Sequence, residues 1–106
     1  MSKALEDVAA ERARQITKER WTLKHDDKHN DRSLASAALS YTQHVVRRGW
    51  VFDNGYTESY TDEEVPYTWP ESWADKWWKP KNPRRDLVRA AALIVAEIER
   101  LDRKGE

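Results

Sequence analysis

The feature that most narrows the folds open to this chain is the uninterrupted run NPRRDLVRAAALIVAEIERLDRK at residues 82–104. It carries a start signal, an apolar stripe and a charged end. Asn82 can cap a helix, and Pro83 fits the first helical position, where its missing N–H would have had no intrahelical partner. Leu87, Ala91, Ile94, Ile98 and Leu101 step by four, three, four and three, with Val88, Ala92 and Val95 widening the stripe. This spacing predicts a central helix packed against more than one neighbour. Outside the stripe, Glu97 faces Arg100 and Glu99 faces Arg103, pairs expected to solubilise the helix end more than to hold it.

Two further helices are expected before it. Residues 2–20 place Leu5, Val8, Ala9, Ala13 and Ile16 at helical spacing, with Glu11, Arg12, Arg14 and Gln15 on or beside the polar face. Residues 32–48 place Leu34, Ala37, Ala38, Tyr41 and Val45 on one face, and Ala35, Ala37 and Ala38 permit close approach to the last helix. Asn30 or Asp31 is the expected cap, Gly49 the stop, and His44 a structural residue near the C-terminal end. The prediction is therefore an all-α domain over residues 1–106: a small bundle of three main helices plus one short Trp-rich helix. Residues 49–69 change to an aromatic, acidic, turn-rich character, and Asn54-Gly55 there allows a short β-hairpin or a recognition loop. With 106 residues the chain has room for one core, burying about two thirds of its unfolded surface.

Six tryptophans, at positions 21, 50, 69, 73, 77 and 78, stand out in a polar chain. Pro70 opens the segment PESWADKWW, expected to be the short helix, with Trp73 and Trp77 on one face and Trp78 turned away. Its rings can be core, each removing about 150–250 Å² from water. They can also form a site, with Trp73, Trp77 or Trp78 stacking on a base while Lys79, Arg84 and Arg85 meet phosphate at the positive end of the last helix. Arg12, Gln15 and His25 would then read polar edges.

Metal binding rests on His25, Asp26, Asp27 and His29. Imidazoles four apart share a face only if that segment is helical, and a full ligand set needs a second element. The alternative is a hydrogen-bonded, helix-capping loop. Mg²⁺, Mn²⁺ or Zn²⁺ are the cofactors this segment would take, and none is dictated by it.

Nineteen basic and nineteen acidic side chains cancel, so no net field draws the chain to nucleic acid or an acidic membrane. The second helix carries only Arg32, Arg47 and Arg48 as bases, too few for a DNA-reading helix. The absence of cysteine excludes disulfides and thiolate metal sites. With no long apolar span and no signal segment, a cytoplasmic location is expected.

Four blocks together resemble a family of small proteins encoded by tailed phages and prophages: ERARQ at residues 11–15, W-T-x-x-H-D-D-x-H at 21–29, PESWADKWWKP at 70–80 and RRDLVRAAALIVAEIERLDR at 84–103. The blocks are more distantly similar to phage MazG-like nucleotide pyrophosphohydrolases, whose all-α fold holds Mg²⁺ between carboxylates one helical turn apart. The chain departs from that pattern. No acidic residue lies between Arg32 and Arg48, and Asp86-Leu-Val-Arg89 has one carboxylate where two are needed. The resemblance implies a phage accessory protein acting in the bacterial host's cytoplasm. The first expectation is non-catalytic sequestration of a nucleotide-like signal to counter host defence. The alternatives are a metal-dependent hydrolase with a rearranged site drawn from Glu11, Asp26, Asp27 and Asp86, and a protein–protein inhibitor of a host defence factor. A homo-oligomer is compatible with all three.

Overall fold

The computed structural model describes residues 1–17, 32–49, 59–61 and 64–105. Among the described residues three α-helices run in chain order: α1 (Lys3–Thr17), α2 (Ser33–Arg48) and α3 (Pro83–Arg103), with a short 3₁₀ turn, Asp75–Trp77, before the last. The all-α bundle expected from the sequence is the fold found. No strand occurs among the described residues. The Asn54-Gly55 hairpin, Trp21, Trp50 and the 25–29 segment lie outside them.

The longest helix starts as its sequence dictates. Asn82 is extended and its side-chain oxygen accepts the Arg85 N–H at 2.8 Å, with Pro83 in the first turn. Both α1 and α2 pack on α3. Against α2 the contact is made by Ala90, Leu93 and Ala96 with Leu34, Ala37, Ala38 and Tyr41, small residues that let two backbones approach closely.

Helix α2 begins without a side-chain cap. Its N-cap position is Arg32, held in the left-handed region at φ 64°, a conformation a side chain adopts only at some cost. The helix stops at Gly49, where a Cβ would come within 2.6 Å of the Val45 carbonyl oxygen. The glycine is there because nothing larger fits.

The Trp-rich segment is where sequence and structure differ most. Residues 70–78 form consecutive turns and one three-residue 3₁₀ turn rather than an α-helix. Ala74, extended at φ −66° and ψ 143°, interrupts helical geometry between Trp73 and Trp77, so the i,i+4 reading fails. Trp78, expected to turn away, is buried. Its ring stacks on Tyr41 at 4.9 Å and meets Trp69 edge-on at 5.4 Å, while Trp69 meets Trp73 at 5.4 Å. Trp77 is the half-buried member. These aromatics close one end of the α2–α3 core.

The helix faces also differ from expectation. On α3 the buried residues are Asp86, Val88, Ala90, Ala92, Leu93, Ala96, Glu97 and Arg100. Leu87, Ile94 and Ile98 are 45%, 47% and 52% exposed. On α1 the fully buried residues are Glu11, Arg12 and Gln15, while Leu5, Ala9 and Ala13 are exposed. The apolar stripes of α1 and α3 read from spacing are only partly inward: Val88 and Ala92 are buried and Val8 and Ile16 half-buried, while Leu87, Ile94, Ile98, Leu5, Ala9 and Ala13 are exposed. Two neighbours demand two faces of α3, and both carry charged residues that pair internally. Glu97 and Arg100, expected at a solvated end, are joined at 2.5 Å and buried.

Trp78→Ala should cost about 3–5 kcal/mol of stability by opening a cavity among Tyr41, His44 and Trp69. Tyr67→Ala, at a 92% exposed ring, should change stability by less than about 0.5 kcal/mol. Urea denaturation of both variants checks the contrast.

Candidate functional site

Helix α1 is held to α3 through its polar side chains. The Glu11 carboxylate, 2% exposed, accepts two hydrogen bonds from Arg14 at 2.8 Å, one from Arg85 of α3, and a longer one from Gln15 Nε2 at 3.4 Å. Burial alone would push the Glu11 pKa up. The hydrogen bond and charge of Arg14, with those of Arg85, outweigh it and hold the carboxyl below the ordinary range. Alongside, Arg12 donates to Glu99 at 3.0 Å and Arg84 pairs with Asp7 at 2.9 Å. The Arg84 hydrogen bond, then that of Lys3, lowers the Asp7 carboxyl.

A second polar hub sits at the start of α3. Asp86 is wholly buried and accepts the Tyr60 hydroxyl at 2.7 Å and the Lys81 backbone N–H at 3.1 and 3.2 Å. The His44 ring nitrogen Nε2 lies 2.8 Å from the Tyr60 carbonyl oxygen, with the two rings 4.3 Å apart. Burial dominates and raises Asp86 above the ordinary carboxylate range, against the lowering effects of Tyr60, Lys81, Arg89 and His44. Burial and then the bond to Asp86 push the Tyr60 phenol upward. It therefore stays protonated and donates.

Between these hubs lies a cleft lined by residues of α1, α2, α3 and the Trp-rich segment: Glu11, Arg14, Gln15, Tyr41, Trp69, Trp77, Lys79, Arg89 and Leu93. The cleft is partly open and leaves about 30 Å³ to the centre of a water-sized molecule, room for one small polar group. The wall is aromatic on one side, from Tyr41, Trp69 and Trp77. Three cations face one carboxylate, and Glu11 is already committed to Arg14 and Arg85. Lys79 Nζ sits 5.6 Å from the Trp77 ring centre and the Arg89 guanidinium 5.8 Å from that of Tyr41. Arg89 also donates to the Lys79 carbonyl, and the Tyr41 hydroxyl accepts the Lys79 N–H at 3.3 Å. The position of Lys79 is thus set by backbone as well as side chain. Gln15 Oε1 is buried in this neighbourhood with no hydrogen-bond donor among the described residues. A buried carbonyl oxygen without a donor is costly and rare.

Of the residues singled out in the sequence, the cleft brings together Gln15, Trp77 and Lys79. Trp73 and Trp78 sit in the core behind it. Arg85 reaches the cleft's rim through Glu11, whereas Arg12 and Arg84 are engaged with Glu99 and Asp7. His25, Asp26, Asp27 and His29 lie outside the described residues. Among the described residues no three His, Cys, Asp or Glu side chains are grouped to hold a metal ion. Glu11 and Asp86, named for a rearranged metal site, belong to separate hubs. Arg14 and Tyr41 were read only as helix-face residues and Arg89 was given no role, so none of the three was singled out for a site. The signal for the two arginines was present, since Glu11/Arg14 and Asp86/Arg89 are both i,i+3 pairs sharing a helix face.

No family model, curated protein or solved structure matches the chain. No helix among the described residues is long and apolar enough to cross a membrane.

The two carboxylates titrate stability in opposite senses. Glu11 contributes stability that is present above its unfolded value of 4.5 and is lost as the pH falls through its lowered folded value. Asp86 contributes stability that is present below its unfolded value of 3.8 and is lost as the pH rises through its raised folded value. Glu11→Gln should therefore be markedly less stable than the parent at neutral pH and approach it under acid conditions. Urea melts of both proteins across this range test the claim, and a constant gap contradicts it.

Proposed function

We propose that this protein is a non-catalytic binding module for a small, anionic, ring-bearing molecule, a nucleotide-like compound in chemical class. The single observation that carries the reading is the cleft's composition. Aromatic walls, an excess of cations and one buried acceptor lacking a donor among the described residues converge on the same place. Gln15 Oε1 would accept a hydrogen bond from an exocyclic amine in the cleft. The ring would lie against Trp77 and Tyr41 at the mouth, and phosphate would meet Lys79 and Arg89. The similarity of the sequence blocks to phage-encoded proteins supports a role in sequestering a host signal, in the cytoplasm of the infected bacterium. Binding is favoured over hydrolysis because Glu11 and Asp86 are each consumed by internal hydrogen bonds.

Incubating the protein with nucleoside triphosphates, cyclic nucleotides and NAD-derived compounds, with Mg²⁺ and Mn²⁺ present, should deplete one of them from the filtrate. Heat denaturation should return it intact. Trp77→Ala should weaken that retention about fivefold to hundredfold, the loss expected for one base-stacking ring, and Lys79→Ala should weaken it too. New products would instead indicate catalysis. An unchanged mixture would leave a protein partner as the reading to pursue.

A further inference from the structure

Helix α3 turns an apolar seam outward. Leu87, Ala91, Ile94, Ile98 and Leu101 alternate steps of four and three, the repeat that keeps one face of a helix against another helix over successive turns. Leu87, Ile94 and Ile98 are about half exposed, and Ala91 and Leu101 are partly so. No charged residue interrupts the outward sector between Leu87 and Leu101, because Asp86, Glu97 and Arg100 are turned inward. This is the reverse of a solvated helix, which keeps its charges outside. The seam is about 21 Å long.

The charges at its two ends identify what covers it. Arg84 and Asp102 lie about five turns apart and so edge the same side of the seam. Each stands where the helix dipole disfavours it, a cation at the N-terminal end and a carboxylate at the C-terminal end. Arg84 is still 58% exposed with Asp7 as its partner. The Asp102 side chain is exposed and has no hydrogen bond or ion pair among the described residues. An antiparallel second copy of the same helix cancels both misplacements at once. It brings Arg84 of each chain to Asp102 of the other and sets the two dipoles head to tail. A parallel copy would set the Asp102 side chains of the two chains on opposite edges of the seam and leave each Arg84 and Asp102 where the dipole disfavours it.

We propose that the protein forms a two-fold symmetric dimer in which the outward seams of two α3 helices pack antiparallel, closed at each end by an Arg84–Asp102 ion pair between chains. The interface is isologous, as two-fold symmetry requires. Its seam residues line no part of the cleft, and only Arg84, paired with Asp7 of α1, is shared with another contact, so the dimer stands or falls independently of the binding reading.

Sedimentation equilibrium of the full chain tests this. The expected result is a mass that rises from one chain to two as concentration increases. Ile94→Lys should remain one chain at every concentration with unchanged helical circular dichroism. Ile98→Gln gives the same readout if the lysine variant loses helicity. Asp102→Asn should weaken association about threefold to tenfold, the effect of losing two partly exposed ion pairs. A mass of one chain throughout overturns the proposal, as does a dimer indifferent to both seam substitutions. A dimer strengthened or unaltered by Asp102→Asn overturns the antiparallel pairing.

Discussion

The Glu11 carboxylate is the contact on which the arrangement of the molecule turns. Helix α1 buries three residues completely, and all are polar: Glu11, Arg12 and Gln15. Its attachment to α3 therefore depends on charge pairing in a setting of reduced solvation, where a partnered carboxylate is stable and an abandoned arginine is not. Arg14 from the same helix and Arg85 from α3 converge on Glu11, and this convergence fixes how α1 lies. The position of α1 in turn puts Gln15 and Arg14 opposite the aromatic residues and forms one side of the cleft.

Helix α3 carries a different burden on each part of its surface. Alanines and Leu93 face α2. Asp86, Arg85 and Glu99 serve polar contacts with the preceding segments and α1. At its N-terminal end, Asp86 gathers the Tyr60 hydroxyl and the Lys81 amide, so the aromatic segment is tied to the helix it leads into. Burying a carboxylate is tolerable here because every contact it makes is a donor. The same Asp86 lies 3.6 Å from Arg89, whose guanidinium reaches the Lys79 carbonyl at the cleft. The Asp86 hub and the cleft are thus linked through Arg89.

The existence of the three helices was legible because their apolar periods are long and their start and stop residues are conventional, as at Asn82, Pro83 and Gly49. The inward face was legible for α2, whose Leu34, Ala37, Ala38 and Tyr41 are buried as their spacing predicts, but not for α1 and α3. Periodicity reports where apolar side chains cluster, and in α1 and α3 the protein spends its inward positions on paired charges such as Glu11–Arg85 and Glu97–Arg100. Single-helix spacing cannot show that Glu11 finds a partner 74 residues away. The Trp-rich segment failed for a local reason. Trp73 and Trp77 have helical spacing, but the flanking prolines and the extended Ala74 set their rings by turns. Trp77, Lys79 and Gln15, singled out by chemistry alone, are brought to one cleft. Arg89 and Tyr41, brought to them by tertiary packing, were not singled out.

Hydrogen exchange on the Glu11→Gln protein, compared residue by residue with the parent at neutral pH, tests the ionic attachment of α1 most directly. The account predicts faster exchange for the amides of α1, with α2 and α3 keeping their protection, because the core between those two helices does not depend on Glu11. Unchanged protection in α1, or an equal loss across all three helices, would contradict it.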